Sequence, residues 1–249
     1  MRHIYLIGMP DWKRYCKKCL AFAGIDLTKN MAYDRLTLRI LKSKLDSKSN
    51  CIDIGCHDGE VLKQMIKLSP AGRHYAFEPI PEYYELLLGL YGNRVTVLPF
   101  ALSDRNGITA FHYVRNAPAY SGLRQRKYAT SDPDIQRIEV ETRRLDDVIP
   151  TDTDIDFIKI DVEGAEFLVL QGAKDLIKRC KPMIIFEFGL GASDYYQTKP
   201  TDLYYFLVEE SGMQISLLQD YLANKKALEP DSFLKCYHNR TEYYFIAHP

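Results

Sequence analysis

The stretch Cys51-Ile52-Asp53-Ile54-Gly55-Cys56-His57-Asp58-Gly59-Glu60 decides the fold. An apolar run of strand length carries one Asp, two glycines follow four residues apart, and a helix-forming segment begins at Glu60. Strand, tight glycine turn and helix make the first βα unit of an open α/β sheet. Glycine at 55 and 59 permits positive φ and lets the backbone approach a ligand in the crevice outside the strand's carboxyl end. The next apolar run, His74-Tyr75-Ala76-Phe77-Glu78-Pro79, closes on an acidic residue 19 positions past Gly59, where a carboxylate can accept hydrogen bonds from both hydroxyls of a ribose. Each feature alone reads as an ordinary turn or a solvated strand end. Together, at this spacing, they point to a nucleoside ligand.

Outward from this turn, short apolar runs alternate with amphipathic segments, the pattern of a parallel α/β sheet. Strands are predicted at Cys51 to Ile54, His74 to Phe77, Val95 to Pro99, Phe157 to Ile160, Met183 to Phe188, Gln214 to Leu218 and Tyr243 to Ala247. Crossover helices are predicted at Glu60 to Lys67, Glu82 to Leu90, Gly164 to Ile177 and Thr201 to Glu210. The interval from Leu102 to Pro150 is too long for one crossover and holds two more strand-like runs, Ile108 to Tyr113 and Arg137 to Thr142, which read as an inserted hairpin. Between its arms, Arg115 to Pro133 is rich in Tyr, Arg, Ser and Pro, a loop long enough to be a functional lid or disordered. Upstream, Trp12, Tyr15, Leu20, Leu36, Ile40 and Leu41 recur at helical intervals among basic residues, with a break at Gly24. Two units are expected: a helical cap over residues 1–49 and an α/β domain over residues 50–249.

Composition narrows the class. With 249 residues, 46% hydrophobic and 27% charged, the chain suits one sizeable core and excludes disorder, collagen-like repeats and a coiled coil. Lys+Arg and Asp+Glu both number 33, so no global positive field gathers a polyanion, and no nucleic-acid partner is expected. No apolar run reaches the roughly 18 residues of a membrane span. Asp11, Trp12 and Lys13 stand where a secretory cleavage site would lie, and six scattered cysteines are too few for a disulfide scaffold, so the expected location is cytoplasmic. Cys16 and Cys19 form a CxxC, but with no second close pair they read as two thiols on a lysine-rich helix and not as a zinc site.

The turn lacks the third glycine of a dinucleotide fingerprint, which argues against an NAD-dependent oxidoreductase. Asp53 instead puts negative charge beside the turn, suiting a ligand with an ammonium group and repelling a pyrophosphate. S-adenosylmethionine has an α-ammonium, a sulfonium and a free ribose. The Asp53-x-Gly55-x-x-x-Gly59 turn, Phe77-Glu78-Pro79, Ala101-Leu102-Ser103-Asp104 and above all Ile158-Lys159-Ile160-Asp161-Val162-Glu163-Gly164-Ala165-Glu166 resemble the FkbM-type methyltransferases, over roughly residues 50 to 190. The resemblance implies a seven-stranded Rossmann-like class I sheet, mostly parallel with its last strand antiparallel, and S-adenosylmethionine as donor. It implies that Asp53, Gly55, Cys56, His57 and Gly59 line the methionine portion, Glu78 the ribose, and Leu102, Ser103 and Asp104 the adenine. Cys56 and His57 depart from the small residue and Asn common in that family.

Methyl transfer to a hydroxyl needs alignment and a base for the leaving proton. Asp161, at the end of the fourth strand and in the cofactor crevice, and Glu163, beside the following helix, are the candidates; Glu187, ending the fifth strand, is either a third or half of a structural ion pair. These three carboxylates can also be imagined around a divalent ion, but the set has no metal-specific spacing and no metal is expected. Tyr120, Tyr128, Tyr195 and Tyr196 suit the wall of an acceptor pocket, and Arg124, Arg126 and Lys127 suit an anionic group on the acceptor. The expected activity is an S-adenosylmethionine-dependent O-methyltransferase acting on a small-molecule or glycan hydroxyl of a saccharide, glycoconjugate or secondary metabolite. The alternative is a non-catalytic cofactor-binding scaffold or interaction module on the same fold. A base-directed N-methyltransferase would carry Pro-Pro and an aromatic where this chain has Asp161-Val162-Glu163-Gly164.

Overall fold

The computed structural model describes residues 28–128 and 131–249. The helical reading upstream of residue 28, with Gly24 and the Cys16/Cys19 pair, lies outside the described residues. Thr28 starts helix α1 (Lys29–Lys44) by accepting the Met31 amide on its hydroxyl. α1 turns Tyr33, Leu36, Ile40 and Leu41 onto one face of the main sheet, against Cys51, Phe157, Ile185 and Ile246.

That sheet has seven strands in the order β3-β2-β1-β7-β8-β10-β9. Its strands are β1 (Cys51–Ile54), β2 (His74–Phe77), β3 (Val95–Leu98), β7 (Phe157–Ile160), β8 (Met183–Glu187), β9 (Gln214–Leu217) and β10 (Tyr244–His248). All seven predicted strands are present. The pairings are parallel except at β10, which runs antiparallel to both β8 and β9. Every residue of β1, β2 and β7 is buried, as parallel strands covered on both faces must be. Helices α2 (Glu60–Leu68) and α3 (Pro81–Tyr91) make the first two crossovers, α2 entered through Gly59 at φ 77° and α3 through Pro81 at its first position.

The insertion is richer than a hairpin. β5 (Gly107–Val114) and β6 (Ile135–Arg143) pair antiparallel as predicted, and β4 (Phe100–Leu102) adds to β6 in parallel, making a separate three-stranded sheet. A three-residue run such as Phe-Ala-Leu is too short for a periodicity signal, and only its partner makes it a strand. A short helix α4 (Leu145–Val148) leads back to β7.

Two helices differ from expectation. The predicted helix over Gly164–Ile177 is two, α5 (Glu166–Gly172) and α6 (Lys174–Cys180), broken at Ala173. Gly172, next to the break, presses on the chain after β4 so closely that a Cβ there would lie 2.0 Å from the Ser103 carbonyl oxygen. The predicted helix over Thr201–Glu210 is α7 (Pro200–Tyr205) running into a π-helical turn (Phe206–Glu210), where the Ser211 amide reaches back five residues to the Phe206 carbonyl. α8 (Leu218–Leu222) and α9 (Pro230–His238) precede β10. Among the described residues no helix is long and apolar enough to cross a membrane.

Candidate active site

Strand order reverses direction between β1 and β7, so the connections leaving their paired carboxyl ends part to opposite sides and leave a crevice, the place where open α/β sheets bind ligands. A cleft of about 700 Å³, solvent at its mouth included, opens there. One wall is the β1 turn and the β2 end, with Gly55, His57, Glu78 and Ile80. Phe100, Ala101 and Leu102 of β4 make an apolar floor, and Phe111, Pro118, Ser121 and Leu123 of the insertion make the roof. Asp161, Val162 and Glu163 after β7 form the opposite wall.

The turn is built by close approach. Gly55 sits at φ 72°, and a Cβ there would lie 1.9 Å from the Asp161 carbonyl oxygen, so only glycine lets β1 and β7 stay paired to their ends. Glu78 is buried, and its oxygens accept the amides of His57 at 2.8 Å and Ile80 at 3.0 Å. Burial pushes its carboxyl up to about 7 despite those two amides.

Of the residues predicted to meet the cofactor, Gly55, His57, Glu78, Leu102 and Asp161 line the cleft. The others stand elsewhere. Asp53 is fully buried, with Lys159 Nζ at 3.8 Å as countercharge. Cys56 is buried and points its thiol at the Asp53 carbonyl, 2.9 Å away. Gly59 packs beneath Leu87 of α3, where a Cβ would be 2.7 Å from the leucine. The Ser103 hydroxyl is buried against Asp104 at 3.0 Å, and Asp104 itself is exposed off the cleft.

Of the three candidate catalytic carboxylates, Asp161 and Glu163 line the cleft, and Glu187 stands next to Asp161 without lining it. One oxygen from each lies within 4.8 Å of the others. Such a set can hold a divalent ion, but here two cationic side chains already reach it. Lys159 Nζ is 3.2 Å from Asp161 Oδ2, and Arg126 pairs with Glu163. The Tyr244 hydroxyl also donates to Asp161 Oδ2 at 2.7 Å. Burial raises the proton affinity of Asp161, but the Lys159 charge and these hydrogen bonds outweigh it and hold the carboxyl below its usual range. Glu187 is pushed the other way by burial and by the charges of Asp161 and Glu166, so the pair keeps one proton, on Glu187.

Lys159, Tyr244, Glu166 and the pairing role of Arg126 were not foreseen. Lys159 carried a signal, since a lysine between Ile158 and Ile160 in a buried strand must find anions. Tyr244 carried none, because its partner lies 83 positions away. Arg126, predicted for an anionic acceptor, is committed to Glu163 and to the Gly191 carbonyl at 3.1 Å, with its guanidinium over the Tyr120 ring. Tyr195 and Tyr196 accept the Lys127 and Arg124 amides on their hydroxyls, each at 3.0 Å.

A family model described as the methyltransferase FkbM domain matches residues 53–215. The chain belongs to the FkbM methyltransferase family. Among curated relatives it is 33% identical over 144 residues to the 2-O-methyltransferase NoeI of Sinorhizobium fredii, covering 52% of this chain and 59% of that one. It is 30% identical over 164 residues to the methyltransferase sdnD of Sordaria araneosa, covering 53% and 63%. The chain thus spans about three fifths of the length of these two relatives. Among solved structures, an FkbM methyltransferase from Methylobacillus flagellatus KT matches with a TM-score of 0.51 at 19% identity, over 82% of this chain and 44% of that one, which is a likeness of fold.

Proposed function

We propose that the chain is an S-adenosylmethionine-dependent O-methyltransferase acting on a hydroxyl of a saccharide, glycoconjugate or secondary metabolite. The observation that carries this reading is the pairing, across one cleft at the sheet's switch point, of a ribose-type acid, Glu78, with an ionised carboxylate, Asp161. The cleft suits the donor. Each Glu78 oxygen spends one lone pair on a backbone amide and keeps another for a ribose hydroxyl, while Ile80, Phe100 and Leu102 offer an apolar slot for a base. Two relatives, the 2-O-methyltransferase NoeI and the methyltransferase sdnD, support this class of chemistry.

When bound, S-adenosylmethionine supplies an electrophilic methyl group, its sulfur–carbon bond breaking as the acceptor's oxygen–carbon bond forms. The protein's own share is orientation, exclusion of water and removal of one proton. Asp161 takes that proton: it lines the cleft, it is ionised, and Lys159 and Tyr244 fix its orientation. Glu187, already protonated, keeps the added proton from being lost to a second acidic neighbour. Glu163 and Arg126 close the acceptor side as an ion pair between the β7 loop and the insertion.

The test is calorimetry of the purified chain with S-adenosylmethionine, then incubation of donor with methyl glycosides of glucose, galactose, mannose and fucose and mass spectrometry for a gain of one CH₂. Binding with turnover supports the reading; binding with no methylated product and no S-adenosylhomocysteine would leave a cofactor-binding scaffold in its place. Glu78→Ala should weaken donor binding roughly thirtyfold, the cost of two lost hydrogen bonds of about 1 kcal/mol each.

A further inference from the structure

Glu166 takes no part in the cleft and is 1% exposed, yet its side chain bonds the loop that carries Asp161 and Glu163. The chain from Asp161 to Ala165 leaves β7 through two successive left-handed residues, Glu163 at φ 59° and Gly164 at φ 109°. A non-glycine residue in that region costs of order 1 kcal/mol or more and persists only where its surroundings hold it. Gly164 is wedged so closely against the following loop that a Cβ would lie 2.5 Å from the Ala192 carbonyl oxygen. That contact fixes one flank of Glu163. The amides on both sides of Glu163, those of Val162 and Gly164, donate to one and the same atom, Glu166 Oε1, at 3.1 and 3.0 Å.

We infer that Glu166 is a positioning residue: its Oε1 clamps the Val162 and Gly164 amides and so holds Glu163, and with it the Arg126 pair and the Asp161 wall, in the geometry that admits the acceptor. What the clamp needs is the reach of an acceptor oxygen, not a charge. Burial pushes the Glu166 carboxyl up to about 7 even with three backbone amides around it, so near neutrality it is often neutral. Asp161, Glu187 and Tyr196 face it from neighbouring segments, and none supplies a positive charge that would hold it ionised.

Reach and charge are separated by two variants. Glu166→Gln keeps the oxygen in place and removes the charge, whereas Glu166→Asp keeps the charge and withdraws the oxygen by one methylene. Amide hydrogen exchange at Val162 and Gly164, read without donor or acceptor, should stay protected in Glu166→Gln and quicken roughly tenfold in Glu166→Asp. With S-adenosylmethionine and the methyl glycosides named above, kcat should fall on the order of tenfold to a hundredfold in Glu166→Asp and stay within about threefold of the unmodified chain in Glu166→Gln, with donor affinity unchanged in both. A Gln variant that loses protection or turnover as far as the Asp variant, or an Asp variant whose kcat is intact, would overturn the clamp. The kinetic arm rests on the methyl-transfer reading. Should the unmodified chain transfer no methyl group, that reading fails on its own, and the exchange measurement still judges the clamp.

Discussion

A lysine inside a fully buried strand is costly unless anions surround it, and Lys159 has two, Asp53 at 3.8 Å and Asp161 at 3.2 Å. Their charges outweigh burial and keep the ammonium protonated. The consequence falls on Asp161, which gains a fixed cation on one side and the Tyr244 hydroxyl on another. Replacing Asp161 by Asn should lower kcat a hundredfold or more while the donor's Kd stays within about threefold, since the change removes the proposed base and leaves the cleft's shape. Tyr244→Phe removes a hydrogen bond made to the anion, so the protonated form of Asp161 gains. The acid limb of kcat/KM should move to higher pH by about one unit, and superimposed pH profiles would refute the coupling. At this scale the sequence was partly readable. The buried Lys159 and the end-of-strand acids Glu78 and Asp161 announce themselves by type and place. Tyr244 and Arg126 do not, because what matters about them is a partner far away in the chain.

Between elements, the decisive contact is the clasp of the insertion on the loop after β8. The stretch following the 3₁₀ turn at Pro118–Tyr120 is tied to β5 by a pair of backbone bonds between His112 and Gly122. From there its Arg124 and Lys127 amides lie on the hydroxyls of Tyr196 and Tyr195. The double variant Tyr195→Phe, Tyr196→Phe leaves both rings and withdraws both acceptors. Exchange at the Arg124 and Lys127 amides should quicken roughly tenfold and acceptor KM should rise several-fold with donor Kd unchanged; unaltered exchange would show that other contacts hold the clasp. The hairpin arms were legible in the alternation of Ile108 to Tyr113 and Arg137 to Thr142. The clasp is not: the sequence suggests tyrosines as pocket walls, whereas the hydroxyls of Tyr195 and Tyr196 serve the backbone. Likewise the break between α5 and α6 falls beside Gly172, whose close approach to the Ser103 carbonyl is a tertiary contact that helical periodicity does not contain.

For the molecule as a whole, two buried carboxyls leave a mark on stability. Glu78 and Glu166 are each pushed by burial from an ordinary glutamate value to about 7. A carboxyl raised in the folded state contributes stability that is complete below its unfolded pKa and is lost as pH rises through the folded one, here from about 4.5 to about 7. Asp161 is shifted downward and works in the opposite sense, its contribution present above the usual aspartate pKa and lost in acid. Glu166→Gln cannot ionise, so its stability should gain on the unmodified chain by up to about 3 kcal/mol between pH 4.5 and pH 8, read from urea melts; parallel curves would contradict the buried-carboxyl account.

The antiparallel β10 lies between β8 and β9 and also brings Tyr244 to Asp161. β9 pairs with no other strand of the sheet, so any local opening that frees β10 also strips β9 of its partner. The same opening takes the Tyr244 hydroxyl from Asp161, so the sheet's far edge and the setting of that carboxylate come undone together.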